Sequence, residues 1–304
     1  MNTAPALITS STMASDAAAP VPYHRLLRTL PRHRWWKPLL AAGVLLLASG
    51  VLMLALLVGY VIFDPVLRES FLAKDSPDTF ALPPTLELSG IAVMTLAVAA
   101  TVRMVYGQPL GLVSSATGRL RWRIIADTLP IAVAVMTPPV VLSFLLSPGL
   151  DLPSVSSAWG TLLLLLILAP LQSAAEEYVF RGFLFQALGA WIRPGWLVTL
   201  LTVPLFVIGH DYGIEGGVSV ACFASIAGWL VLRTRGLEAA IALHAVNNVV
   251  AFISDALGPV EATGDAAMEW WQVGSSLLMC VLYAVGVEFM GRRHGWIRPG
   301  RLQT

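Results

Sequence analysis

The run Ala174-Ala175-Glu176-Glu177-Tyr178-Val179-Phe180-Arg181 decides how this chain is read. It follows twelve apolar or small residues, Gly160 to Leu171, so two carboxylates and a guanidinium fall inside a membrane-spanning pattern. A charge at the centre of a membrane helix costs about 2.5–3.5 kcal/mol on insertion scales, and three in six residues would cost on the order of 8 kcal/mol if unpaired. Such charges are retained where they pair and face a wet cavity. On a helix turning about 100° per residue, Glu177 and Arg181 are four apart and about 40° apart around the axis, in the favoured order for an intrahelical pair. Glu176 is about 140° from Arg181 and is the carboxylate least able to use it. A helix that neutralises Glu177 and leaves Glu176 facing a cavity has the arrangement a general base needs.

Working outward, composition agrees with a membrane setting. Hydrophobic residues make up 57% of the chain and charged residues 12%, against about 25% charged in soluble proteins. The net charge of +1 excludes a broad basic face, so no nucleic-acid partner is expected. Cys222 and Cys280 both lie in apolar stretches and make neither a disulfide framework nor a CxxC metal site. Residues 1–24, rich in Ala, Ser, Thr and Pro without helical period, are predicted to be a disordered tail. Residues 25–304 are predicted to form one integral membrane domain. The first apolar run, Leu39 to Phe63, is longer than the roughly 7–15 residues of a signal-peptide core and reads as a span.

Membrane helices need roughly 20 mainly apolar residues. Eight segments qualify as candidates: 39–63, 86–106, 124–146, 159–190, 196–210, 217–233, 237–255 and 270–290. The fold class expected is therefore all-α, a polytopic transmembrane helical bundle. Charges test the count independently. Sixteen of the 19 Lys and Arg residues fall before span one or after spans two, four, six and eight. The opposite connections carry Asp64, Glu69, Asp75, Asp78, Asp151, Asp211, Glu215, Asp255, Glu261, Asp265 and Glu269. The positive-inside rule then puts both termini in the cytoplasm, with the chain in a bacterial plasma membrane as the expected location. Pro138, Pro139 and Pro170 are expected to kink their helices.

Other polar residues lie in the same apolar region. His244 and Asn248 are one turn apart and share a helix face, with Asn247 beside them; Phe206 and His210 have the same spacing. Hydrogen-bonded glue between helices accounts for an isolated Asn247, at about 0.6 kcal/mol per bond. It does not account for a free glutamate beside a paired one. A proton or ion pathway, a non-enzymatic transporter and an immunity scaffold are the competing readings.

The set Glu176-Glu177-x-x-x-Arg181, Phe206-x-x-x-His210 and His244-x-x-x-Asn248, in order on successive spans, resembles the CPBP intramembrane protease family of CaaX prenyl endopeptidases and bacteriocin-processing or self-immunity proteins. The resemblance covers roughly residues 155–255. It implies peptide-bond hydrolysis within the membrane, with Glu176 activating water and His210 positioning it. It implies an oxyanion hole from His244 and Asn248, with Glu177, Arg181, Phe206 and Asn247 in support.

Members of this family have been described as metalloproteases, and Glu176, His210 and His244 are the alternative zinc ligands here. The chain has no HExxH, and zinc on Glu176 would leave the base role to Glu177. No cofactor is therefore expected, with zinc as the alternative. The substrate implied is a membrane-anchored peptide or protein; the CaaX branch takes prenylated ones.

Overall fold

The structure, a computed structural model, describes residues 21–65, 84–146, 155–257 and 268–297. Residues 1–20, and with them most of the predicted tail, lie outside these, as do the acidic positions Glu69, Asp75, Asp78, Asp151, Glu261 and Asp265. A 3₁₀ turn, Tyr23–Thr29, precedes α1 (Lys37–Phe63), α2 (Pro84–Ala92) and α3 (Met94–Thr101), which continues as a π-helical stretch, Val102–Tyr106. Short α4 (Gly111–Ser114) leads to α5 (Trp122–Leu146). Then come α6 (Val155–Glu177), a π-helical stretch Tyr178–Leu184, α7 (Phe185–Gly189), α8 (Gly195–Ile208), α9 (Ile214–Thr234), α10 (Glu238–Leu257) and α11 (Trp270–Arg293).

All regular structure among the described residues is helical, with one isolated bridge between Ser115 and Gly236. Six helical runs are long and apolar enough to cross a bilayer: Lys37–Phe63, Thr85–Tyr106, Trp122–Leu146, Leu162–Gly189, Ile214–Thr234 and Trp270–Arg293. The chain is a multi-pass integral membrane protein. The other two predicted spans also form helices, but of a different kind. α8 has only 14 residues, about 21 Å at 1.5 Å per residue. α10 has the length but carries Glu238, His244, Asn247, Asn248 and Asp255. A helix this polar is kept in a membrane by protein on its flanks. α10 packs between α6 and α5 and also touches α9 and α11, and Leu237–Val246 are all buried. Ala239, Ala240, Ala242 and Ala245 allow that close approach. α1 by contrast exposes Leu39, Leu46, Leu47, Leu54 and Phe63, a lipid-facing surface.

α5 continues as one helix through Pro130, Pro138 and Pro139, and α6 through Pro170. The fourth span also carries a π-helical stretch after Glu177. Such stretches occur frequently at functional sites.

The N-terminal turn differs from the tail expected for residues 1–24. Tyr23 and His24 are fully buried. The Tyr23 hydroxyl donates to the Val113 carbonyl, and His24, Arg25 and Arg28 donate to the carbonyls of Arg193, Ile192 and Ala190. These carbonyls lie beyond the C-terminal end of α7, where orphan acceptors need partners. Gly189 closes against the same turn, and a Cβ there would overlap the His24 carbonyl oxygen. Composition signalled disorder, but a tyrosine, a histidine and two arginines at these spacings had acceptors waiting.

Candidate active site

The start of α10 is held first. Leu237 N donates to Ser114 O and Ala116 N to Arg235 O, so the loop after α4 pairs with the turn between α9 and α10. Fully buried Glu238, in the first turn of α10, takes the Arg121 side chain at 2.6 and 2.9 Å and the Arg121 backbone N–H at 2.8 Å. A carboxylate is favoured at a helix N-terminus. This latch sets the axial position of α10, and His244 follows six residues later.

His244 is buried between the two carboxylates of α6. Its Nδ1 is 2.8 Å from Glu177 Oε1, and its Nε2 is 3.3 Å from Glu176 Oε2, without the alignment of a hydrogen bond. Glu177 is fully buried and also accepts from Arg181 Nη1 at 3.0 Å. Arg181 in turn donates to the Ala224 carbonyl of α9, and its guanidinium lies 4.1 Å from the centre of the Phe206 ring. The pairing expected within the fourth span, Glu177 with Arg181, therefore forms. The proton on His244 Nδ1 follows from its carboxylate partner. Nε2 is then an acceptor in the neutral ring and a donor only in the imidazolium.

Glu176 is differently placed. Its Oε1 accepts from the neutral Gln172 Nε2 at 2.8 Å, its side chain is 12% exposed, and its Oε2, like Glu177 Oε2, has no hydrogen-bond partner. Asn248 Nδ2 donates to Gln172 Oε1 at 2.9 Å, and Asn247 Nδ2 donates to Asn248 Oδ1 at 3.1 Å. Thus Glu176, Glu177, Arg181, His244, Asn247 and Asn248 converge. Phe206 packs at the centre, with ring centroids 4.7 Å from His210, 6.0 Å from His244 and 6.4 Å from Phe223. His210 lies one step out: its Nδ1 is 2.8 Å from its own helix's Phe206 carbonyl, and its ring stacks on Tyr212. Gln172 was not foreseen. Its only signal was its place one turn before Glu176, in an apolar run.

A polar cavity of about 100 Å³ opens beside this group, lined by His210, Tyr212, Ser219, His244, Asn248 and Ser276 among others. On the other side of α6 and α10 lies an apolar groove of about 790 Å³, walled by Leu129 and Val133 of α5, Leu171 and Ala174 of α6, and Ala245 and Val249 of α10. Among the described residues no three His, Cys, Asp or Glu side chains form a group able to hold a metal ion. His210 turns Nδ1 to its own backbone, and His244 commits Nδ1 to Glu177.

Three comparisons bear on this geometry. The family model for Rce1-like type II CAAX prenyl endopeptidases matches residues 157–250. The uncharacterized protein YyaK of Bacillus subtilis (strain 168) is 27% identical over 158 residues, which cover 49% of this chain and 53% of that protein. The chain thus spans about half the length of this relative. No solved structure matches. The segment that builds the site, from α6 through α10, is similar to the Rce1-like type II CAAX prenyl endopeptidases, consistent with the CPBP family that its motifs resemble.

Proposed function

We propose that this protein is an intramembrane endopeptidase that hydrolyses a peptide bond in a membrane-associated peptide or protein, with Glu176 as the general base. One observation carries the assignment: Glu177 is fully buried with its Oε1 bound by both Arg181 and His244, whereas Glu176 is hydrogen-bonded only by the neutral Gln172 amide and keeps a side chain 12% exposed. Glu176 Oε2 takes a proton from water as the resulting hydroxide attacks the substrate carbonyl carbon. The carbonyl π electrons move to oxygen, and the oxyanion accepts from Asn248 Nδ2–H and from Nε2–H of the His244 imidazolium. As the tetrahedral intermediate collapses, Glu176 returns the proton to the leaving amine. Removing one oxyanion donor costs about 2.7–4 kcal/mol of barrier in comparable sites. His210, on the cavity wall, positions the water. Arg181 holds Glu177, and Glu177 holds the His244 ring.

The reading is metal-free, because water activation by the Glu176 carboxylate needs no ion. It predicts full activity in strong chelator. A membrane-anchored substrate suits a site bordered by the bilayer. The apolar groove against Ala174 and Ala245 supports a lipidated one, its chain lying against α5 while the peptide bond reaches His244. The test is purified protein in nanodiscs with paired quenched peptides, one lipidated and one not. Cleavage of the lipidated member at least tenfold faster is expected. Equal rates would remove the lipid from the proposal. Zinc bound at one per chain, with activity lost in chelator and restored by zinc, would replace the metal-free mechanism. No cleavage of any membrane peptide would overturn the protease reading in favour of a transporter or ion pathway.

A further inference from the structure

We propose that Gln172 is a positioning residue. It closes a one-way chain of side-chain amides, Asn247 to Asn248 to Gln172 to Glu176, that holds the base and the oxyanion donor as one unit. The inference rests on the protease reading for its consequence, not for its geometry. Gln172 is 4% exposed and lies where α6 meets α10. It donates to Glu176 Oε1 at 2.8 Å and accepts from Asn248 Nδ2 at 2.9 Å, and Asn248 Oδ1 accepts from Asn247 Nδ2 at 3.1 Å.

The carboxylate fixes the direction of this chain. An ionised carboxylate only accepts, so the Gln172 atom beside it must be the amide nitrogen. Turning Gln172 over would set two acceptors 2.8 Å apart. With Nε2 facing Glu176, Oε1 faces Asn248, and the Asn248 atom there must be its nitrogen. Asn248 Oδ1 then turns to Asn247, which must donate in its turn. Each link polarises the next toward the charge. A second hydrogen bond, from the Ser173 hydroxyl to Gln172 Oε1 at 3.4 Å, agrees with that oxygen being the acceptor.

The chain selects which atoms remain for chemistry. Glu176 Oε1 is occupied, which leaves Oε2 as the proton acceptor. One Asn248 N–H is occupied, which leaves the other for the oxyanion. Fixing both through a single side chain ties base and donor, on different helices, to one spacing. Misplacement by about 1 Å costs on the order of 10²-fold in rate. Ordinary interhelical glue would have no reason to discriminate between the two oxygens or the two protons.

The chain contains only three asparagines, Asn2, Asn247 and Asn248, so asparagine-selective nitrogen-15 labelling, with Asn2→Ser removing the tail signal, leaves two side-chain amides to follow. In the wild-type protein one Asn248 amide proton is expected to exchange with solvent at least tenfold more slowly than its geminal partner. Gln172→Met, of similar length without the amide, is expected to abolish that difference. It should also lower kcat by about 10²-fold, with KM within twofold and tryptophan fluorescence unchanged. Equivalent Asn248 protons in the wild type would overturn the proposal even if the variant fails to fold. So would a folded Gln172→Met protein with unaltered spectra, or one with wild-type kcat. If the amide signals behave as expected while the wild type cleaves no peptide, the protease reading fails and the amide chain stands.

Discussion

Glu176 and Glu177 are neighbours in sequence with opposite commitments, and the difference predicts opposite phenotypes. Glu176→Gln keeps the side-chain size and the Gln172 contact but removes the proton acceptor. Cleavage should fall by at least about 10²-fold, within the range of general base catalysis, with thermal stability unchanged. Glu177→Gln leaves the buried Arg181 with neutral acceptors, the residue 177 amide oxygen and the Ala224 carbonyl, and the Phe206 ring, but without its paired counter-charge. Breaking one partner out of a buried pair costs about 3–5 kcal/mol, so its main effect should be a lower unfolding temperature in detergent. A stable, inactive Glu177→Gln beside an active Glu176→Gln would invert the two roles. The Glu177–Arg181 pair was legible because both groups sit on one helix, four residues apart. The place of His244 between the carboxylates was not, because it depends on how α10 is rotated and latched against α6. Gln172 escaped notice because a lone amide in an apolar run matches no motif; only the partner helix gives it a direction.

Elements carry the next set of expectations. Arg121→Ala removes the partner of the fully buried Glu238 at the start of α10. About 3–5 kcal/mol of stability should be lost, read as a fall in unfolding temperature, and activity should fall with it because His244 rides on the same helix. Unchanged stability would mean that the latch does not set α10. The N-terminal turn makes a pH prediction. Burial pushes the His24 imidazole below its ordinary value of 6.5, and the Arg25 charge acts in the same direction, against the hydrogen bond to Arg193 O. Its Nδ1 is buried without a partner. A histidine held below its ordinary value binds fewer protons folded than unfolded, so its contribution is present above about 6.5 and is lost as pH falls through that region. Protection factors over residues 23–29, corrected for the pH dependence of intrinsic exchange, should fall between pH 7.5 and 5.5, and His24→Phe should flatten the response. Protection independent of pH in the wild type would remove His24 as the sensor. Hydropathy made the long helices legible at this scale. It could not reveal the docked turn, whose stability comes from capping contacts with a segment 160-odd residues away.

At the scale of the whole molecule, orientation determines what can reach the site. Sixteen of 19 basic residues fall on one set of connections, and α8 starts beside that arginine-bearing face at Arg193. Its 14 residues cover about 21 Å of a hydrocarbon core roughly 30 Å thick. His210 and Tyr212 therefore lie toward the opposite face, yet below its surface. Ser219 is five residues from the start of α9 at that same end, and Ser276 six from the start of α11. Toward the arginine-rich face the site is closed by buried Phe206, Arg181, Phe183 and Leu237. Tyr212, 63% exposed, is the open edge of the polar cavity. The cytoplasmic termini expected from the charge alternation predict a cavity that opens to the outside. Reporter fusions after residues 115 and 297 should then report the inside, and fusions after 75, 152 and 262 the outside. In a background with Cys222 and Cys280 replaced by alanine, Tyr212→Cys and Ser276→Cys should react with a membrane-impermeant maleimide added to intact cells. Labelling of both only in inverted vesicles would put the opening on the cytoplasmic side and make a cytosolic substrate segment the one the site receives. Labelling in intact cells would instead direct the search for substrates to peptides presented from outside the membrane.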